Sequence, residues 1–197
     1  MRKVIVNEWM TLDGVVQSPA YPDEDTTGGF EHGGWHPRYL DDGSMGWVIE
    51  NVRGAGGFLL GRGTYERFAA HWPAASPEEQ ALAEPLNELP KYVASTTLGE
   101  PLGWRNSTLL RGDAGDAVRA LKAEDGRDLH AIGSPGLVQT LIERDLVDEL
   151  RLMIDPLVLG SGKRLFRHGG SPRSLSLVDS RVTTTGAIIA TYARAGA

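Results

Sequence analysis

The chain has 197 residues, 41% hydrophobic and 23% charged, enough for one substantial core rather than two. A formal charge of −6 argues against the clustered Lys and Arg surface on which non-specific nucleic-acid binding rests. The absence of cysteine excludes disulfides, thiolate nucleophiles, iron–sulfur clusters and thiolate zinc sites, and no run reaches the roughly 18 to 20 apolar residues of a membrane span.

The N-terminus, Met1 to Met10, starts basic but has only three consecutive apolar residues, too few for a signal-peptide core, so a cytoplasmic protein is expected. Val4-Ile5-Val6 predicts a buried strand, and Asp13-Gly14 a turn. A long loop then runs from Val16 to Pro37. With Trp9 before it and Phe30 and Trp35 within it, its aromatic rings are candidates to wall a small-molecule substrate or, equally, to pack the loop down. His32 and His36 stand at i, i+4, but the two glycines between them oppose the helix that would aim both at one ion, so no metal is expected.

Met45 to Val52 predicts a helix closing at Gly54, followed by the strand Phe58-Leu59-Leu60, which runs into Gly61-Arg62-Gly63-Thr64-Tyr65-Glu66. Pro73 to Pro85 reads as loop. The strand Tyr92-Val93-Ala94 ends in Ser95-Thr96-Thr97. A helix capped by Asp113 carries Val118 and Leu121 to Gly126. The strand Leu129 to Ile132 passes through Gly133-Ser134-Pro135-Gly136 into a helix with the stripe Leu137, Val138, Leu141 and Ile142.

Beyond Val147 the residues Leu150, Leu152 and Ile154 alternate as in a strand that meets Pro156, and two extended stretches between Leu175 and Tyr192 flank Thr184-Thr185-Gly186. Together these predict a single α/β domain over 1–197: a three-layer sandwich with a mostly parallel twisted sheet and an antiparallel C-terminal hairpin. Ligands in such sheets sit beyond the carboxyl ends of the strands. Three of those ends carry small residues, hydroxyls or free backbone N–H groups, and two of them open helices whose N-termini favour phosphate oxygens. Arg62 adds a fork-shaped cation.

GSGKRLF at 160–166 is not a phosphate loop, because Leu157 and Arg164 occupy two of its fixed positions. Its glycines are either a plain turn or a close approach of backbone to a ligand, and Lys163 is expected to point to solvent.

The ordered set Gly61, Arg62 and Thr64, then Ser95 and Thr96, then Gly133 and Gly136 resembles the dihydrofolate reductase superfamily, in which such turns jointly hold NADPH. Within it, the segments Met10 to Gly14, Leu146 to Leu150, Pro156 to Gly162 and Leu165-Phe166 resemble the RibD C-terminal-like reductase domain of riboflavin biosynthesis, over nearly the whole chain. The resemblance implies a dihydrofolate reductase-like fold and an NADPH-dependent reductase acting on a small heterocyclic or ribosylamino-pyrimidine-like substrate, in a homodimer. It also implies cofactor contacts from Gly61, Arg62, Thr64, Ser95, Thr96, Gly133, Ser134, Pro135 and Gly136, with Gly160 and Gly162 beside the nicotinamide and Asp13 as the catalytic residue. Arg62 with Ser95 and Thr96 leans towards the 2′-phosphate. Two departures stand out. Counted back from the Gly61-Arg62 turn, the region Gly43 to Trp47 lacks the carboxylate that binds a pterin, with Asp41, Asp42 and Glu50 nearby read as solvated, and the chain lacks the cysteine ligands of the zinc deaminase partner domain. The competing class is a non-catalytic nucleotide-binding or regulatory protein that kept the fold.

Overall fold

The computed structural model describes residues 1–196. Its centre is one eight-stranded sheet in the order β4-β3-β2-β5-β1-β6-β8-β7. The strands are β1 (Val4–Thr11), β2 (Gly57–Gly61), β3 (Lys91–Ala94), β4 (Ser107–Leu110), β5 (Leu129–Ile132), β6 (Glu149–Asp155), β7 (Leu175–Val182) and β8 (Ile188–Arg194). Strands β4 to β6 along that order run parallel, while β8 is antiparallel to both β6 and β7. The helices are α1 (Asp42–Gly54), α2 (Arg62–His71), α3 (Gln80–Glu88), α4 (Ala114–Ala123) and α5 (Pro135–Glu143).

Alternation along the strands divides the core between two faces. Val4, Val6 and Met10 of β1 join Leu59, Leu129 and Ala131 against Val118, Leu121, Val138 and Leu141 of α4 and α5. Phe58 and Leu60 point the other way, into a cluster with Val52, Tyr65, Leu86 and Trp104 beneath α1 to α3. Helices on both faces of one sheet give the three layers expected.

Two elements escape the sequence pattern. Pro73 to Pro85 is not a plain loop: short 3-10 turns at Trp72–Ala74 and Pro77–Glu79 lead into α3, which contains Pro85. An interior proline costs a helix about 3 kcal/mol. Here the reciprocal cap between Ser76 and Glu79 starts the turn, and burial of Ala83 and Leu86 offsets the lost bond. The second element is the four-residue β4, which pairs with β3 at the sheet edge and has only Leu110 buried.

Helix starts differ in a way that bears on the site. Asp41 accepts from the Ser44 N–H at the head of α1, and Asp113 from the Asp116 N–H at the head of α4. The N-termini of α2 and α5 have neither a side-chain cap nor an acid in the first turn.

Candidate active site

A cleft of about 2010 Å³ opens beyond the carboxyl ends of the strands. A drug-sized ligand needs roughly 300–1,000 Å³, so there is room for a dinucleotide and a second molecule. One half lies over the ends of β2, β3 and β5, where Gly61, Arg62, Thr64, Ser95, Thr96, Gly133, Ser134, Pro135 and Gly136 all line it. These are the residues of the three strand-end turns, and the fold brings them to one cavity.

The join between two of the turns is specific. Ser134 Oγ accepts from the Gly61 N–H at 2.8 Å and donates to Thr64 Oγ1 at 2.8 Å. To make that reach, Gly133 and Ser134 both take left-handed backbone conformations, with φ of 56° and 62°. For serine this conformation costs on the order of 1–2 kcal/mol, which the surrounding bonds must offset. Glycine suits 133, where the backbone is left-handed and a Cβ would crowd Thr64 Oγ1 at 3.2 Å. Ser95 Oγ accepts from the Thr97 and Leu98 N–H groups at 3.1 Å, shaping its own turn, and Thr96 is exposed. Arg62 is exposed at the head of α2, 3.8 Å from Glu66.

The other half of the cleft lies against β1, α1 and the loop after β1. Trp9 lines it and stacks on His36, with ring centroids 3.9 Å apart and planes 22° apart. His36 is wholly buried, and its Nδ1 donates to Asp155 Oδ2 at 2.7 Å. Its partner in the sequence pattern, His32, is exposed and sits edge-on to Phe30.

Phe30 and Trp35 do not line the cleft among the described residues. Both are buried: Trp35 Nε1 donates to the Gln17 carbonyl, and Phe30 packs on Gly162. They fasten the loop rather than wall a substrate.

Asp13, Gly160 and Gly162 also lie outside the cleft lining. The Asp13 carboxylate accepts from Thr11 Oγ1, the Leu159 and Gly160 N–H groups and Arg164, which ties the β1 turn to the loop after β6. Burial pushes its pKa up, but the bonds from Thr11, Gly160 and Leu159 and the Arg164 charge outweigh this and hold it below the ordinary 3.8. A carboxylate so engaged is a poor proton donor. A Cβ at Gly162 would come within 2.7 Å of Val15 and 2.8 Å of Phe30, so packing alone requires glycine there. Lys163 is not free in solvent; its ammonium pairs with Asp25 at 2.6 Å.

A buried acid in the cleft is Glu8, in the middle of β1. It is 5% exposed, and its Oε1 is buried without a partner. Burial, with Glu24 on the covering loop adding to it, drives the Glu8 pKa well above 4.5. Burial likewise raises Glu24, against the pull of the Ala20 and Tyr21 N–H groups. Glu8 stays protonated where an exposed carboxyl would not. A glutamate inside an apolar strand run was the available sequence signal. His130 on the neighbouring β5 is structural: burial first, then Arg151, lowers its pKa to about 4, and its Nδ1 takes a bond from Asn7 Nδ2 at 3.1 Å.

The RibD C-terminal domain pattern matches residues 2–189. The chain belongs to the RibD C-terminal domain family. Two relatives from Bacillus subtilis (strain 168) are similar to this family member: the uncharacterized protein YyaP, 31% identical over 136 residues (68% of this chain, 71% of YyaP), and the uncharacterized protein YwjB, 28% identical over 141 residues (65% and 74%). Among solved structures the family member resembles a candidate riboflavin biosynthesis protein from Shewanella sp. PV-4, with TM-score 0.68, 24% identity and 98% of each chain covered. It also resembles a pyrimidine reductase-like protein from Corynebacterium diphtheriae, with TM-score 0.60, 13% identity and coverage of 98% and 92%. At these identities the structural likeness speaks to the fold, a RibD C-terminal, dihydrofolate reductase-like sheet.

Proposed function

We propose that this protein is an NADPH-dependent reductase of a small heterocyclic or ribosylamino-pyrimidine-like acceptor. The observation that carries the reading is the junction of Gly61, Thr64 and Ser134, which draws the heads of α2 and α5 to one cavity. Both helix heads leave their backbone N–H groups uncapped by side chains, as phosphate oxygens require, and Arg62 stands at one of them. The donor set thus suits a dinucleotide with a further phosphate, held by Gly133 to Gly136 at its pyrophosphate and by Arg62, Ser95 and Thr96 at its 2′-phosphate end.

NADPH, when bound, supplies the hydride. The chain's own tasks are to seat the acceptor against Trp9, to keep water out beneath the loop after β1, and to hold a proton. Glu8 takes the last task in place of Asp13: its carboxyl lines the cleft, has an unpartnered oxygen and is kept protonated by burial. Glu24, on the covering loop and close enough for its charge to raise the Glu8 pKa, returns the proton from solvent in this reading.

Titration of the purified protein with NADPH, followed by nicotinamide fluorescence, tests the reading. Saturable binding is expected, and none at millimolar cofactor would overturn it.

A further inference from the structure

We infer that Gln17 is a positioning residue: its buried amide fastens the loop after β1 where that loop covers Glu8 and lays Glu24 beside it. The inference rests on the reading of Glu8 as the group that holds the proton.

Gln17 stands at the start of the loop, lines the cleft and is 3% exposed. Its side-chain hydrogen bonds all go to main chain. Nε2 donates to the Asp25 carbonyl at 2.9 Å and the Thr27 carbonyl at 3.0 Å, while Oε1 accepts from the Lys163 N–H at 2.9 Å. Two carbonyls and one N–H permit a single orientation of the amide, which offers two donors and an acceptor from one planar group. A glutamate would set a carboxylate against two carbonyl oxygens, and an asparagine would be one methylene short. The backbone carbonyl of Gln17 also accepts from Trp35 Nε1 at 2.9 Å, so the same position anchors the far end of the loop.

The segment so held carries Glu24. Its Oε2 accepts from the Ala20 N–H at 2.8 Å, which folds the loop back on itself. On one side of Glu24, Arg67 of α2 donates to the Asp23 carbonyl at 3.3 Å. On the other, Gln17 grips the Asp25 carbonyl at 2.9 Å and Lys163 pairs with the Asp25 carboxylate at 2.6 Å. The Arg67 bond is long, whereas those of Gln17 are shorter and come from a buried side chain. Gln17 is therefore the tie that decides where Glu24 stands.

Few other charges reach Glu8. The residue opposite it on β6 is Leu152, and α5 contributes the uncharged Gln139 and Thr140 to the same cleft. The charged groups on and against the covering loop are Glu24, with Asp25, Arg67 and Lys163 behind it. Burial first, then the Glu24 charge, raise the Glu8 pKa, and both depend on where the loop lies. Releasing the loop admits water to Glu8 and carries Glu24 away, and each change lowers that pKa.

The test follows the Glu8 carboxyl directly, by NMR titration of protein with ¹³C-labelled glutamate carboxyls, the signal being assigned through Glu8→Gln. Gln17→Met keeps the length of the side chain but cannot donate to the two carbonyls, and it is expected to lower the Glu8 midpoint by about one pH unit or more. Arg2→Met removes a buried side chain's bond to the Arg127 carbonyl, ahead of the other end of β1, and should leave Glu8 unchanged. An unaltered Glu8 in Gln17→Met overturns the inference, and so does an equal fall in Arg2→Met, which would mark general loosening. Should Gln17→Met fail to fold, Lys163→Gln decides. Loss of that positive charge by itself would raise Glu8, so a fall reports release of the loop, while an unchanged or raised value overturns the inference. A wild-type Glu8 that titrates as an ordinary carboxylate brings down the proton-holding reading and this inference with it. A raised wild-type Glu8 that is indifferent to Gln17 brings down this inference alone.

Discussion

The ring of His36 and the carboxylate of Asp155 meet at 2.7 Å with neither side chain exposed, joining the end of the loop after β1 to the last residue of β6. Burial raises the Asp155 pKa, and the bond and charge of His36 pull it back. The two groups are worth more together than apart, because either one alone would be a buried polar group without its partner. His36→Ala should cost about 3 kcal/mol or more in urea unfolding, and the double change His36→Ala with Asp155→Ala should cost clearly less than the sum of the singles. Additive losses would mean that the pair does not hold the loop.

Ser134 should be sensitive in two separable ways. Ser134→Ala keeps the left-handed strain and leaves the Gly61 N–H unpaired, so a loss of about 1–2 kcal/mol is expected in thermal unfolding. Ser134→Gly loses the same bonds but relaxes the backbone, and should retain roughly 1 kcal/mol more. Both should weaken NADPH binding, read by fluorescence, if the junction of α2 and α5 shapes the phosphate cradle.

The pH dependence at Glu8 has a definite sign. Its folded pKa lies above the 4.5 of an ordinary glutamate, so the folded state holds the proton more tightly than the unfolded chain. The stability it contributes is full below 4.5 and is lost as pH rises through the folded value. The amide of a Glu8→Gln variant does not titrate. Denaturation midpoints of that variant relative to the wild type should therefore climb as pH rises above 4.5, and a flat difference would place the acid in water rather than in the cleft floor.

At the other half of the cleft, Arg62→Ala should weaken NADPH more than NADH, by about 10-fold or more if the guanidinium grips the 2′-phosphate. Equal losses for the two cofactors would reject that role while leaving the cleft itself in place.

The outer strand of the sheet makes a further case. All of β7 is exposed, including Leu177, Val178 and Val182, and its far edge ends the strand order. An apolar edge with unpaired backbone groups invites another strand. A second copy, related by a two-fold axis, would bury it against itself. Light scattering should give twice the chain mass, and Val178→Lys should shift the protein to monomer.

The parts of this architecture that could be read in advance share a cause. Apolar runs that stop at Gly, Ser or Thr mark strands buried on both faces, so the ends of β2, β3 and β5 stood out, as did the stripe of α5. What stayed hidden depended on contacts between distant segments. Pro85 argues against a helix until the burial of Leu86 is known, and Glu8 looks like one more charge until the loop carrying Glu24 covers it. Phe30 and Gly162 are 132 positions apart in numbering, and only their contact reveals that each explains the other. The aromatic residues of the loop offered two readings, and packing separated Trp9 from Trp35.

The placement of β1 has a consequence for how the molecule comes into being. This first strand lies between β5 and β6, so its neighbours are synthesised only after more than a hundred further residues. During translation it must wait, solvated and apolar, while later segments emerge, and pairings so remote in sequence close slowly. Refolding should accordingly be limited by capture of the amino-terminal strand, which makes that segment the place where chaperones and aggregation compete.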